Sequence, residues 1–192
     1  RYIEISGVEH APELEEVESL QYSSVTEFHG SLTSSYKLLN RFAENVSWSQ
    51  KCNFINIPTD CPQRDERMGW TGDAQVFSPT AMYLEDTYAF YAKYLYDMAK
   101  EQSVLGGKVP YVVPSCGVED AACVWGDAAC IIPWNLYLFY GDKSILEDQF
   151  VSMKSWVDYI TKVDGDNHGW RYVFHFGDWL ALDNPVQGAE QV

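Results

Sequence analysis

The segment from Thr59 to Asp73 concentrates side chains that could carry out acid–base chemistry. Its seven charged or indole side chains are Asp60, Arg64, Asp65, Glu66, Arg67, Trp70 and Asp73. These charges follow neither a helical nor a strand period, whereas charges on a solvated helix face recur at i, i+4. Carboxylates beside arginines and an indole can supply a proton donor, hydroxyl-binding groups and a ring for stacking, which is what sugar chemistry requires.

The same segment also has a purely structural interpretation. Its aspartates could cap helices while its arginines neutralise them. Clusters of this kind also occur as structural ion-pair networks. The spacing alone leaves both interpretations open.

The composition indicates a folded chain and excludes several partners. Hydrophobic residues make up 46% and aromatic residues 15% of the 192 residues, which is too much for a disordered chain. The net charge of −15 argues against nucleic acid or an anionic membrane as a partner, since both require a basic surface. No apolar run approaches the roughly 20 residues of a membrane span, and no signal peptide is visible. A neutral substrate such as a sugar is compatible with this acidic net charge. The composition does not indicate the cellular compartment.

Neither a metal nor a cofactor is expected. The five cysteines, Cys52, Cys61, Cys116, Cys123 and Cys130, lack paired Cys-x-x-Cys spacing, so a zinc site is not predicted. The segment 164–169 partly resembles a calcium loop, but His175 stands where the bidentate glutamate is required. A tight turn is the better interpretation there.

The chain divides into a short β-like start and a helical remainder. Residues 1–30 begin with alternating apolar and polar side chains, and after a polar loop they become rich in residues that favour strands. This pattern predicts two short strands. From residue 31 onward, amphipathic spacing predicts helices over Ser34–Lys51, Thr80–Glu101, Ala128–Tyr140 and Ser144–Val163.

A weak internal repeat suggests how the helices are arranged. Gly72-Asp73 and Gly126-Asp127 are followed by proline and tyrosine at the same offsets, and Gly177-Asp178 begins a third unit. We expect each aspartate to cap a helix and each neighbouring tryptophan to share one rim. Units of about 50 residues predict stacked helical hairpins, although Gly-Asp is also common helix punctuation. Three such units would leave apolar faces uncovered, so the chain is expected to be part of a larger domain.

The segment 57–75, IPTDCPQRDERMGWTGDAQ, closely resembles the signature of bacterial α-L-rhamnosidases of glycoside hydrolase family 78. Similarity extends to Trp125–Ala128, to Phe176–Leu180 and to the opening of the chain. The resemblance implies a mainly α fold that forms the first part of an (α/α)6 barrel. Residues 1–30 would be the end of a preceding β-sandwich, and residues 31–192 the N-terminal half of the barrel, which is truncated here.

The resemblance also implies roles for individual residues. Glu66 would be the general acid of an inverting hydrolase that releases terminal α-L-rhamnose from glycosides or polysaccharides, without a cofactor. The substrate-binding residues would be Asp60, Arg64, Trp70, Asp73, Trp125 and Trp179. The family's catalytic base has no matching segment in this sequence, so the chain alone is expected to be inactive or nearly so.

Two other functions remain compatible with the residues. The chain could be a non-catalytic helical-repeat interaction module, which predicts ordinary ion pairs for Glu66 and an exposed Asp60. It could also belong to another (α/α)-barrel carbohydrate enzyme, such as a trehalase-like hydrolase or a phosphorolytic relative.

Overall fold

A computed structural model describes residues 3–27, 30–165, 169–170, 174 and 176–177. Within them the chain forms α1 (Lys37–Asn53), α2 (Thr71–Leu84), α3 (Tyr88–Val104), α4 (Ala128–Tyr140) and α5 (Ser144–Asp164). Short 3₁₀ turns lie at Leu14–Glu16 and Trp125–Asp127. The prediction of a mainly α chain is confirmed.

The two strands predicted near the start do not form within residues 3–27. The alternating side chains of Ile3, Ile5 and Val8 remain exposed. Two short strands are marginal without further strands or a packed face, which explains why the alternation produces no sheet here. The end of the segment does reach the helices, since Val25 is buried and the Ser24 N–H donates to the Phe54 carbonyl over 2.7 Å.

The single helix predicted over Thr80–Glu101 is wrong, because α2 ends at Leu84 and α3 begins at Tyr88. Groups outside these two helices hold the corner between them. The Asp86 N–H donates to the Glu27 carbonyl over 2.9 Å, and the Thr87 N–H donates to the Tyr140 hydroxyl over 2.9 Å. The continuous aromatic pattern concealed this break.

Pro79 lies inside α2, where it cannot donate to the Gln75 carbonyl. The Ser78 hydroxyl donates to that carbonyl instead, over 2.8 Å. The same hydroxyl accepts a 2.8 Å hydrogen bond from the Asn135 amide of α4. One buried serine therefore compensates for the proline and joins two helices.

The helices pack as successive hairpins. α2 packs against α4, α4 packs against α5, and α3 contacts both α4 and α5. The largest fully buried apolar side chains at the centre are Tyr91, Tyr94, Leu95, Met98, Ile132, Leu136 and Trp156. Equivalent helices of two successive units thus lie side by side, which confirms the predicted helical hairpins.

The Gly-Asp repeat has a different cause from the predicted capping. Asp73 lies inside the first turn of α2, and Asp127 precedes α4 without a side-chain capping hydrogen bond. The glycines instead make room for indoles. A Cβ on Gly72 would stand 2.9 Å from the Trp125 ring, and one on Gly126 would stand 2.4 Å from the Trp156 ring. Each glycine of this pair is required because an indole packs directly on its Cα.

Several large apolar side chains are not covered by the described part of the chain. Leu38 and Phe42 of α1, Val76 of α2 and Val151 of α5 are more than 60% exposed. No helix in the described ranges is both long and apolar enough to cross a membrane.

Candidate functional site

The loop between α1 and α2 carries most of the candidate residues and is fixed at both ends. The Asp60 N–H donates to the Met68 carbonyl over 2.9 Å and closes the loop on itself. The carbonyl of Gly69 accepts 2.9 Å hydrogen bonds from the Tyr94 hydroxyl of α3 and from the Val113 N–H. Because Tyr94 is fully buried, the loop is anchored to the core of the helical body.

Glu66 is held by N–H groups through one oxygen only. Its Oε1 accepts a 2.6 Å hydrogen bond from the Trp70 indole and a 3.0 Å hydrogen bond from the Met68 backbone. Its Oε2 is buried and has no hydrogen-bond partner among the described residues. Oε1 is therefore fixed as an acceptor, which leaves Oε2 as the oxygen that can carry a proton.

Three carboxylates lie close together at this point. Oxygens of Asp60 and Glu66 and the Cys61 sulfur all lie within 4.8 Å of one another. Partial burial raises the pKa of Asp73 above its ordinary value, and the charges of Asp60 and Glu66 raise it further, against one backbone hydrogen bond that lowers it. Clustered like charges favour a ligand that donates hydrogen bonds to them.

Cys61 completes the group of residues that could hold a metal ion. Its thiol donates to Asp60 over 3.0 Å, and this hydrogen bond raises the pKa of the thiol, while the Arg64 guanidinium opposes the shift. Metal ligation requires the thiolate, which this environment disfavours. The arrangement is better suited to binding hydroxyl groups than to holding a metal.

The arginines of the loop do not neutralise Glu66. Arg67 pairs with Asp65 at 3.6 Å, where the Asp65 side chain is 99% exposed. Arg64 is exposed beside Cys61. Asp60 is also exposed, as the interaction-module alternative expected, but the N–H partners of Glu66 differ from the ordinary ion pairs that it expected.

A cavity of about 610 Å³ opens beside the carboxylates. Asp60, Asp73 and Trp125 line it, together with polar side chains from α1 and both polar and apolar side chains from α2 and the neighbouring loops. Glu66, Arg64 and Trp70 do not contribute to this lining. The cavity combines an aromatic wall with a few polar groups, as small-molecule sites typically do.

The two described tryptophans of the site belong to one aromatic cluster. Phe176 lies 4.3 Å from the Trp125 ring and 6.2 Å from the Trp70 ring, measured between ring centroids. Its role was not predicted, although it precedes the third Gly-Asp just as Trp125 precedes the second. Trp179, the third expected tryptophan, lies outside the described residues.

Comparison with known proteins identifies the family. Residues 27–192 match the model of the bacterial alpha-L-rhamnosidase 6 hairpin glycosidase domain. The chain belongs to this family. The six-hairpin (α/α) barrel of the family agrees with the stacked hairpins described above.

Relatives of this six-hairpin domain are similar over nearly the whole chain. An alpha-L-rhamnosidase of Alteromonas sp. (strain LOR) is 42% identical over 98% of this chain, which spans 20% of that protein. The alpha-L-rhamnosidase of Streptomyces avermitilis is 36% identical over 96% of the chain, which spans 18% of it. The chain thus spans about a fifth of the length of these curated relatives.

Solved structures agree with this six-hairpin assignment. The alpha-L-rhamnosidase of Aspergillus terreus superposes with a TM-score of 0.78 at 42% identity, covering 85% of this chain and 19% of that one. The Streptomyces avermitilis enzyme, solved with L-rhamnose, gives a TM-score of 0.65 at 36% identity, covering 73% of this chain and 14% of that one.

Proposed function

We propose that this six-hairpin domain segment supplies the proton donor and part of the sugar pocket of an inverting hydrolase that releases terminal α-L-rhamnose. Glu66 is the general acid. The observation that carries the proposal is the asymmetry of its carboxyl group. Two N–H donors hold Oε1, and Oε2 is buried without a partner among the described residues.

In this mechanism the proton on Oε2 of Glu66 passes to the glycosidic oxygen as the bond to the rhamnosyl carbon breaks. The two N–H groups then stabilise the negative charge left on the carboxylate, because charge-assisted hydrogen bonds are stronger than neutral ones. Trp70 and the Met68 backbone therefore orient the acid and stabilise the carboxylate that remains after the proton has been transferred.

The remaining residues bind the sugar. Asp60 and Asp73 accept hydrogen bonds from ring hydroxyls, and Arg64 donates one from the exposed side of the loop. Trp125 offers an apolar face to the C–H groups and the methyl group of rhamnose, and we assign Trp70 and Trp179 to the same role. A neutral deoxysugar suits a pocket that has acceptors and aromatic surface.

The catalytic base lies elsewhere in the complete protein. In an inverting glycosidase the acid and base stand about 6.5–9.5 Å apart so that a water molecule fits between them. Oxygens of Asp60 and Glu66 lie within 4.8 Å of each other, which leaves too little room. Asp60 is therefore assigned to hydroxyl binding. Large apolar side chains of α1, α2 and α5 are exposed, which supports packing of residues 31–192 against further hairpins. In this proposal, residues 1–30 belong to a separate unit that precedes the hairpins.

The test compares leaving groups in the complete protein. Glu66→Gln should reduce kcat on alkyl rhamnosides by roughly 10²–10⁴, and far less on nitrophenyl rhamnosides, whose leaving groups need no proton. Asp65→Asn is the matched control, since this neighbouring carboxylate is 99% exposed. Equal losses on both substrates would show that Glu66 is not the proton donor.

NMR of the first-formed sugar tests the inverting assignment. Rhamnose released with the anomeric configuration of the substrate would contradict it. Cleavage of a different sugar, without release of rhamnose, would instead favour another (α/α)-barrel enzyme.

A further inference from the structure

The residue between the two donors to Glu66 is itself held from outside its loop. Met68 and Trp70 each donate a hydrogen bond to Oε1 of Glu66, and Gly69 lies between them in the chain. The Gly69 carbonyl accepts a 2.9 Å hydrogen bond from the Val113 N–H. A Cβ on Gly69 would stand 2.5 Å from the Val113 carbonyl oxygen, so the two segments meet with no side chain between them. A displacement of Gly69 would therefore move both groups that orient the acid.

The partner segment belongs to the α3–α4 loop, residues 105–124. Val112 of this loop is fully buried and pairs with Trp70 in an antiparallel bridge. The Thr71 N–H donates to the Tyr111 carbonyl over 2.8 Å on the far side of the bridge. The position of the α3–α4 loop thus determines the position of the loop between α1 and α2.

Glu101, in the last turn of α3, holds the α3–α4 loop in turn. Both of its carboxylate oxygens accept the Ser115 N–H, over 3.0 and 2.9 Å. Charge-assisted hydrogen bonds of this kind are roughly twice as strong as neutral ones. The helix dipole opposes a negative charge in the last turn of a helix, and residues 101–104 include no basic side chain to offset it. The carboxylate is therefore unfavourable for α3 and favourable for the loop.

Tyr94 and Glu101 support the two paired segments from one face of α3. They are seven residues apart, which is close to two helical turns. Tyr94 is fully buried, and its hydroxyl donates to the Gly69 carbonyl over 2.9 Å. Glu101 binds Ser115, two residues beyond Val113. One helix therefore fixes both sides of the pairing next to the acid.

We propose that Glu101 is a positioning residue for proton transfer, because it holds the α3–α4 loop where that loop fixes Gly69 and the two donors to Glu66. This inference rests on the proposed role of Glu66 as the proton donor. A displacement of about 1 Å at a catalytic group can cost on the order of 10²-fold in rate, even when its cause is remote. Substrates whose leaving groups need a proton should be affected most, whereas a loss of folded protein affects all substrates equally.

Glu101→Leu and Glu101→Gln in the complete protein separate positioning from folding. Leucine removes both acceptors at a similar helix propensity, whereas glutamine keeps one oxygen that can accept the Ser115 N–H. In Glu101→Leu we expect kcat to fall roughly tenfold on alkyl rhamnosides and less than about twofold on nitrophenyl rhamnosides. Glu101→Gln should restore most of the loss. Glu119→Leu, which replaces an exposed carboxylate of the same loop, is the matched control and should change neither value.

Tyr94→Phe is a second variant for the same support. It removes only the hydroxyl that donates to Gly69 and keeps the buried ring. Its loss of kcat should again be larger on alkyl than on nitrophenyl rhamnosides. An equal loss on both substrates would contradict support of the acid from α3.

Equal losses on both substrates in Glu101→Leu, or no loss on either, would overturn the positioning role and leave the proton donor intact. Glu66→Gln in the same experiment checks the donor, and if it shows no preference between the substrates, the proposed function fails instead. Deuterium exchange at the Thr71 and Val113 amides then decides the loop contact separately. Faster exchange in Glu101→Leu than in Glu101→Gln and the parent would support it, and equal exchange in all three would overturn it.

Discussion

The indole nitrogen of Trp70 donates to Oε1 of Glu66 over 2.6 Å, so an aromatic residue of the same loop directly orients the proposed acid. The backbone N–H of Met68 reaches the same oxygen over 3.0 Å. Both donors follow Glu66 within four residues, so one short loop contains the acid and the groups that hold it. We therefore expect the tryptophan to have two roles, one in packing and one in chemistry.

Trp70→Phe separates these two roles. The phenyl ring keeps aromatic packing but removes the hydrogen bond to Glu66. A hydrogen bond to a charged group contributes about 1.5–3 kcal/mol, so kcat on alkyl rhamnosides should fall at least tenfold, with a smaller change in KM. Steady-state kinetics of the complete protein provide the measurement. Trp134→Phe, half exposed on α4, is the control, and a similar loss there would refute the assignment.

Asp73→Asn tests the carboxylate cluster through its pH dependence. Because the folded-state pKa of Asp73 is raised, the folded protein binds this proton more tightly than the unfolded chain. Its contribution to stability is present at low pH and is lost as the pH rises through the folded-state pKa. The asparagine variant should therefore gain stability relative to the parent as the pH increases from about 4 to 7.

Urea unfolding at several pH values measures this difference. Asp65→Asn controls for the loss of an exposed charge in the same loop. If Asp73→Asn instead lost stability relative to the parent as the pH rose, the clustered arrangement would be contradicted.

The sequence predicted those parts of the fold that depend on local pattern. Helix α4 was predicted over its observed range, and Gly141 ends it in the left-handed conformation, at φ 72°. The break at Glu85–Thr87 was missed because bonds from Glu27 and Tyr140, far away in the chain, create it. Local pattern carries no information about such partners.

The same limit applies to the site. Asp60, Asp73 and Trp125 were expected and do line one cavity, since they belong to a specific motif. Gln50 and Asn53 were missed because a glutamine or asparagine near the end of an amphipathic helix resembles ordinary surface. They line the cavity only because α1 packs against α2, where the Ala81 carbonyl accepts a hydrogen bond from the Gln50 amide.

Gly126→Ala tests the explanation of the Gly-Asp repeat. The added Cβ would lie 2.4 Å from the Trp156 ring, which is 1% exposed and cannot move away freely. Overpacking of this kind typically lowers the free energy of unfolding by about 1–3 kcal/mol. The exposed substitution Val76→Ala should change it by less than about 0.5 kcal/mol.

Chemical denaturation measures both variants, and fluorescence reports the environment of the displaced indole. An unchanged stability of Gly126→Ala would mean that the added Cβ is tolerated beside Trp156. The packing explanation of the Gly-Asp repeat would then be wrong.

Lys51→Met tests a buried ion pair that joins α1 to the corner after α2. Glu85 is fully buried, and its Oε1 lies 3.8 Å from the Lys51 ammonium and accepts a 3.2 Å hydrogen bond from the Ser47 hydroxyl. Its Oε2 has no hydrogen-bond partner in the described structure, and burial raises the pKa of this carboxyl despite the nearby lysine. Removing the lysine leaves the carboxylate uncompensated, which should destabilise the fold by about 3–5 kcal/mol at neutral pH.

The matched variant is Lys51→Met combined with Glu85→Gln. It removes both charges, so much of the lost stability should return, because an uncharged amide is less costly to bury than an unpaired carboxylate. Lowering the pH should also restore stability to Lys51→Met, since a carboxyl with a raised pKa stabilises the folded state below that pKa. Thermal unfolding at two pH values compares all three proteins. If the single and double variants unfold at the same temperature at neutral pH, the pair does not hold α1 in place.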